Sequence, residues 1–369
     1  MGGSENPTLR VLHVSQPVEA GVARVVAGLV ADQRRRGWEV LVACPGEGWL
    51  ADTVRAAGAE LVPWRASRSP GPSVPGEAAA LRRVVATTDP QVVHLHSAKA
   101  GLAGRLAVRG RRPTVFQPHA WSFEAVTGPV QTASRSWERF AQRWTDLTLC
   151  VSEAELATGR AAGLTGRSVV VPNGVEPELW APQDRAAARA ALGLPAAPTV
   201  VCVGRLARQK GQDMLLSAWP GVRRAVPDAQ LVLVGAGPDE AALRARADGS
   251  VRFAPGERLA EWYAAADVVA VPSRWEAGLP LVAMEAMAGQ RSVVAFDVAG
   301  IAASLGGAGA AVPAFEIEAL TDALTARLLD PATAAREAET GRSVATTRFA
   351  AATSQTAVAE HLLCLAGSR

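Results

Sequence analysis

Two glutamates frame the stretch of this chain with the most chemistry to offer, Pro272-Ser-Arg-Trp-Glu276-Ala-Gly-Leu-Pro-Leu-Val-Ala-Met-Glu285-Ala-Met-Ala288. An apolar run at 267–271 reads as a strand leading into it, and a turn with glycine and proline follows. A helix is predicted to start near Pro280, because proline at the first helical position lacks only an N–H that has no helical partner there. Glu276 then sits in the loop before a helix, and Glu285 lies near the helix's second turn. Between them, around Gly278, Leu279, Pro280 and Leu281, are the backbone N–H groups of a helix N-terminus, a ready anion site. Two carboxylates can hold sugar hydroxyls while the helix end holds a phosphate. A plain α/β crossover needs neither acid.

A second candidate lies upstream. Gly204-Arg205-Leu-Ala-Arg-Gln-Lys210-Gly211 follows a strand-like run at 200–203, at the carboxyl end where open α/β sheets bind ligands. Arg205 and Lys210 can converge on a diphosphate and stabilise leaving-group charge. The competing reading is an exposed basic loop, and the Glu276 segment favours phosphate. Lys99 and Lys210 are the two lysines of an otherwise arginine-based chain, and for Lys99 composition is explanation enough. Gly235-Ala-Gly237-Pro lacks the third glycine of a dinucleotide fingerprint and reads as a tight turn into a helix. His94, His96 and His119 invite a metal, but no acidic partner lies near them and no D-x-D pair occurs, so none is expected. His119 follows a predicted strand at 114–117 and is open to a structural role or a substrate contact. Gly21, after Ala20, lets backbone approach a ligand or simply starts a helix. No glycine pattern of a nucleophile elbow supports Ser-His-Asp catalysis.

The elements that must position these residues alternate β-α-β-α. Strands are predicted at 9–14, 39–43, 60–62, 92–95, 114–117, 147–151 and 168–171. Helices are predicted at 21–36, 50–57, 77–86, 98–109 and 133–144, with 70–75 a proline-broken loop and Ser152 the N-cap of another helix. An irregular stretch at 172–198, helical only at 185–192, is the expected inter-domain connection. Further strands follow at 200–203, 230–234, 251–253, 268–271 and 292–295, then helices at 319–328 and 348–365. The expectation is an α/β protein of two Rossmann-like domains, 1–178 and 179–348, their parallel sheets facing across a cleft, followed by a terminal helix within 349–369.

Bulk composition sets the bounds. The 369 residues are 49% hydrophobic and 20% charged, ordinary globular material with room for a large core. A net charge of +3 gives no case for nucleic acid. Of Cys44, Cys150, Cys202 and Cys364, the first three lie in or beside strand-like runs and none forms a C-x-x-C pair, which points to reduced thiols and a cytoplasmic protein. Residues 1–7 are polar and do not read as a signal peptide, and Asn6 stands where myristoylation wants Ser or Thr. No apolar run reaches the length of a membrane span. Arginine clusters at 34–36, 82–83 and 105–112 read as a solvated face, or as a surface for anionic lipid at the inner membrane face.

Jointly the motifs resemble glycosyltransferase family 4, retaining enzymes of the two-Rossmann GT-B fold, over nearly the whole chain. The strongest are Val203-Gly-Arg-Leu-Ala-Arg-Gln-Lys-Gly211, Leu231-Val-Leu-Val-Gly-Ala-Gly-Pro238, Ala266-Asp-Val-Val-Ala-Val-Pro-Ser273 and Glu285-Ala-Met-Ala288. Pro172-Asn-Gly-Val175 and His96-Ser-Ala-Lys-Ala-Gly101 support them. The resemblance implies metal-independent, cofactor-free transfer of a sugar, with a hexose expected and a UDP-sugar among the candidate donors. The donor would be a nucleotide-diphosphate sugar. The acceptor would be the hydroxyl of a glycan, a lipid-linked or a small natural-product molecule. It further implies that Arg205 and Lys210 bind the diphosphate, Glu285 the ribose hydroxyls, and Glu276 the sugar hydroxyls near the reacting carbon. The N–H groups of 278–281 would meet sugar and phosphate, and Val251, Phe253 and their neighbours to Gly256 would border the base. From the first domain, Gly21 would approach the diphosphate and His119 the sugar, and the terminal helix, 349–369, would pack back on that domain. A nucleotide-sugar 2-epimerase of the same fold would need further acid and base residues, and a non-catalytic sugar-nucleotide-binding protein is the other alternative. The chain departs from the family pattern in four places. The two glutamates stand one position further apart than usual, with Ala277 inserted. Gly289 comes one place early and Gln290 takes the glycine's slot. Ser292 replaces a common proline, and Ala20 a glycine.

Overall fold

In the computed structural model, which describes residues 8–67 and 70–367, the chain forms two compact units. Residues 1–7, whose reading concerned a leader peptide, lie outside the described residues. The first unit runs to Asn173 and regains the chain from Ala351, and the second spans Gly174–Ala350.

The first unit carries β1 (Arg10–Ser15), α1 (Ala20–Arg35), β2 (Glu39–Cys44), α2 (Trp49–Ala56), β3 (Glu60–Pro63), α3 (Val74–Thr88), β4 (Val92–His96), α4 (Ser97–Val108), β5 (Thr114–Gln117), α5 (Gly128–Ala141), β6 (Leu147–Cys150), α6 (Glu153–Ala161) and β7 (Ser168–Val170). The second carries α7 (Arg185–Leu192), β8 (Thr199–Val203), α8 (Gln212–Ala225), β9 (Gln230–Val234), α9 (Glu240–Arg246), β10 (Val251–Ala254), α10 (Leu259–Ala265), β11 (Val268–Val271), α11 (Leu281–Ala288), β12 (Ser292–Phe296), α12 (Ile301–Leu305), β13 (Gly309–Val312), α13 (Ile317–Leu329) and α14 (Pro331–Thr347). The last helix, α15 (Ala351–Ala366), packs on α1 in the first unit.

The sheets are ordered β3-β2-β1-β4-β5-β6-β7 and β10-β9-β8-β11-β12-β13, with parallel pairing throughout. Strand direction alternates side chains between two buried layers, which is why these strands read as continuous apolar runs. In the first unit Val11, Val40, Val42, Val92 and Val115 face the core with α1, α2 and α15. Leu12, Leu41, Val93, Leu95 and Phe116 face the other core, with α3 and α4. The second sheet divides the same way, with Val201, Val232, Val269 and Val293 on one face and Val200, Leu231, Val268 and Val294 on the other.

Several elements differ from the sequence reading for local reasons. The helices α3 and α5 begin earlier than expected, at Val74 and Gly128, because each accepts a proline in its first turn. Pro280 is the N-cap of α11 and not its first residue. Strand β13 and helices α12 and α14 were not anticipated. The residues that α14 buries are Ala334, Ala338, Gly341 and Ala345, a stripe too small to register as an apolar face. The cysteines form no disulfide: Cys44, Cys150 and Cys202 are buried, and Cys364 is exposed on α15.

Candidate functional site

In the second unit β8 is the first strand, with β9 on one side and β11 on the other. Strand order reverses between β8 and β11, so the loops leaving their carboxyl ends flank the switch point where open α/β sheets take ligands. These are loops 204–211 and 272–280. They are tied together by backbone and side chains. Arg274 N donates to the Gln209 carbonyl at 2.8 Å, and Gln209 Nε2 to the Trp275 carbonyl at 3.2 Å. The Arg274 guanidinium forks onto Asp213 at 2.7 Å for both bonds, and also reaches the Arg208 carbonyl. This pairing holds the Asp213 carboxyl below its ordinary range. Gly211 sits at φ +68°, and a Cβ there would lie 1.9 Å from the Pro272 carbonyl oxygen. The glycine that ends the Arg205–Lys210 motif is therefore where one loop touches the other. Gly235 and Gly237 have a related duty: a Cβ on either would lie 2.2 Å from a carbonyl oxygen of the 204–206 segment. This second glycine pair is a packing turn.

Across this seam Lys210 Nζ pairs with Glu276 Oε1. Both side chains are largely covered, at 20% and 10% exposure, so the pair is fixed without being sealed from solvent. The residue inserted at Ala277 is taken up in the bend at 277–279, which leaves Glu276 directed at Lys210. Gly278 and Leu279 are buried in that bend. Leu281 opens α11, whose N-cap Pro280 has no side chain to satisfy the first N–H groups. Glu285, one turn further on, is buried at 1% exposure and accepts a 2.7 Å hydrogen bond from the Tyr263 hydroxyl on α10. Arg205 is half-buried in its loop, and its carbonyl accepts from Gln212 Nε2 at 3.1 Å. Val251 and Phe253 belong to the strand on the outer side of β9. They are on edge strand β10, packed against the apolar layer beneath α8, with the Arg244 guanidinium 4.3 Å over the Phe253 ring. Both side chains are partly buried.

The first unit repeats the switch between β1 and β4. Ala20 enters α1 at φ +64° and Gly21 follows in the first turn. His119 leaves β5 at φ +53°, followed by Ala120 at φ +91°. This left-handed pair is held by Glu155 Oε1, which accepts from Ala120 N at 2.7 Å. The His119 ring meets His96, which meets His13. Ring nitrogens of His13, His94 and His96 all come within 4.8 Å of one another, the one group among the described residues with metal-ligand spacing. Its donor set is three neutral imidazoles with no carboxylate or thiolate, and two of the rings already hydrogen-bond each other. Lys99 has a structural role: it pairs with Glu77 at 2.6 Å, both side chains buried.

Sequence reasoning missed Tyr263, Arg274, Asp213 and His13. Tyr263 is the single tyrosine, and only the α10–α11 packing reveals its acid. His13 stands in register with His94, a relation that the strand order makes and that spacing along the chain does not.

Comparison with known proteins agrees with this geometry. The pattern described as Glycosyltransferase Family 4 matches residues 20–179, and that of Glycosyl transferases group 1 matches 197–330. The chain is 34% identical over 295 residues to the GDP-mannose-dependent alpha-(1-6)-phosphatidylinositol monomannoside mannosyltransferase of Mycolicibacterium smegmatis, covering 73% of this chain and 75% of that one. It is 32% identical to the phosphatidyl-myo-inositol mannosyltransferase of Mycobacterium leprae over 84% of each. Among solved structures, the sucrose-phosphate synthase of Thermosynechococcus elongatus superposes with a TM-score of 0.83 at 23% identity, over 97% of this chain and 99% of that one. Anabaena HepE in complex with UDP-glucose gives 0.83 at 22% identity, over 96% and 100%. The chain is an enzyme of glycosyltransferase family 4, with the two parallel-sheet units of the GT-B fold.

Proposed function

We propose that this glycosyltransferase moves a hexose from a nucleoside-diphosphate sugar to an acceptor hydroxyl, with retention and without a metal. The observation that carries the reading is the Lys210–Glu276 pair at the β8/β11 switch point, beside the uncapped start of α11. As the bond from the anomeric carbon to the phosphate oxygen breaks, negative charge builds on the diphosphate. Lys210 and Arg205 neutralise it, with the first N–H groups of α11 adding partial positive charge. Glu276, fixed through Oε1, directs its carboxylate at hydroxyls of the sugar. Glu285, oriented by Tyr263, holds the ribose hydroxyls. The acceptor oxygen attacks from the face the phosphate leaves, and the departing phosphate oxygen takes its proton, which gives retention. Metal independence rests on the donor set: Glu276 is the only carboxylate in loops 204–211 and 272–280, and Lys210 already neutralises it.

The phosphatidylinositol monomannoside mannosyltransferases to which the chain is similar are GDP-mannose-dependent by name, so GDP-mannose is the donor to test first, with a phosphatidylinositol headgroup as acceptor. A thermal-shift panel of GDP-mannose, UDP-glucose, ADP-glucose and dTDP-glucose tests the donor, since a ligand that binds the native state raises its melting temperature. GDP-mannose should stabilise selectively, and silence across the panel would overturn the reading. Lys210→Ala and Glu276→Gln should each lower transfer by roughly 100-fold or more with little change in melting temperature. Unimpaired transfer by either variant would remove these residues from the mechanism.

A further inference from the structure

The carboxyl-end half of the β1–β4–β5 face that packs against α1 is polar. His13, Ser15, His94, His96 and Gln117 point to the same side as Val11, Val92 and Val115, and all are buried. From α1, Gln33 is inserted among them at 0% exposure. A hydrogen-bonded chain crosses this face. Gln33 Oε1 meets His13 Nε2 at 2.8 Å, His13 Nδ1 meets His96 Nε2 at 3.0 Å, and His96 Nδ1 meets His119 Nε2 at 3.3 Å. His94 lies tilted against His96 with ring centroids 4.0 Å apart and makes no well-formed hydrogen bond of its own, so it lies beside the chain.

Neutral imidazole has one donor and one acceptor nitrogen. Burial keeps these rings neutral: it lowers His13 to about 4 and His119 to about 3, and holds His96 well below its ordinary value. Each ring uses one nitrogen towards each neighbour, so the choice made at one end is imposed along the whole chain. The Gln33 amide oxygen accepts from His13 Nε2–H. His13 Nδ1 must then accept from His96 Nε2–H, and His96 Nδ1 from His119 Nε2–H. His119 is left with Nδ1 as its acceptor. Turning the Gln33 amide over reverses every bond, and the three rings still share one tautomer.

We infer that Gln33, His13 and His96 are positioning residues that fix the tautomer and orientation of His119 through a chain anchored on α1. This rests on the reading that His119 contacts the donor sugar in a transfer reaction. The chain gives His119 a single hydrogen-bonding polarity towards a hydroxyl, where a lone imidazole would present both. The strained backbone at 119–120, held by Glu155, and the ring, held by His96, are two independent restraints on the same side chain.

With five histidines in the protein, nitrogen-15 imidazole spectra of the full chain resolve the rings individually and report tautomers directly. His13, His96 and His119 should each show one and the same tautomer. Gln33→Leu removes the anchor two rings away and should turn His119 into a mixture of tautomers. His96→Leu should do so too, while His13 keeps the form set by Gln33. In transfer assays Gln33→Leu should lower kcat by about tenfold or more with the donor KM little changed. Rings of opposite tautomer in the wild type, or an unaltered His119 in Gln33→Leu, would overturn the inference. Failure of the underlying reading shows differently: His119→Ala would transfer at the wild-type rate whatever the spectra of the other rings.

Discussion

Ala20 and Gln290 stand where the family pattern has glycine, and both keep the glycine's backbone. Ala20 opens α1 at φ +64° and Gln290 lies at φ +59° after α11, while the displaced Gly289 has an ordinary φ of −76°. A side chain in the left-handed region costs on the order of 1 kcal/mol. The fold therefore demands these turns irrespective of the residue supplied. Gln290→Gly and Ala20→Gly should each stabilise the unit they lie in by about 1 kcal/mol, and the double variant should add, since the sites share no partner. Urea denaturation measures this, and a loss of stability in Gln290→Gly would show that its side chain does more than fill the slot. At this scale the sequence was informative where an element's own neighbours decide: Lys210, Glu276 and Glu285 were legible because each sits in a short motif. Tyr263, Gln33 and His13 were not, because their partners lie 22, 20 and 83 positions away in the chain.

Elements transmit these constraints. Helix α6 begins with a cap in which Ser152 Oγ accepts from Glu155 N. Glu155 accepts in turn from Val151 N and Ala120 N, both at 2.7 Å. One buried carboxyl thus ties a helix start to the turn that carries His119. Burial pushes the Glu155 carboxyl up to about 7, with the backbone donors opposing. Because the folded value lies above the unfolded one of about 4.5, the stabilisation is complete below that value and is lost as the pH rises through about 7. The difference is on the order of 3 kcal/mol. The first unit should therefore melt lower at pH 8 than at pH 5. Glu155→Gln should flatten that slope from a lower starting point, because the two backbone N–H groups meet different carboxyl oxygens and the amide replaces one of these by an NH2 donor. A variant whose melting temperature falls with pH as steeply as the wild type would assign the slope to another group. Elements were legible where they bury large residues. They were hidden where they do not: α14 packs through alanine and glycine, and β13 is a Gly-Ala-Ala-Val edge strand.

Across the whole chain each unit is a parallel sheet between two helical layers with its own pair of apolar cores. The β-α alternation showed two domains and the family resemblance returned the terminal helix to the first, but the residues that helix meets there were not legible. Helix α15 lies more than 300 residues from α1 in sequence, yet Val358, Ala359, Leu362 and Leu365 are buried in the layer formed by α1 and α2. Gln355 Nε2 also donates to the Gly28 carbonyl at 3.2 Å. No described helix is long and apolar enough to cross a membrane. Helix α15 covers a core face that α1 leaves open. The first unit is discontinuous in sequence and depends on the end of the chain, whereas the second is one continuous segment. Leu362, at 0% exposure, separates the two. Leu362→Ala should cost about 2–5 kcal/mol by leaving a cavity, and the loss should fall on the first unit alone. Hydrogen exchange should show β1, β2 and α1 opening more readily, while β8, β9 and β11 keep their protection. If the second sheet loosens equally, the two units unfold as one and the boundary at Asn173 and Ala351 has no energetic meaning.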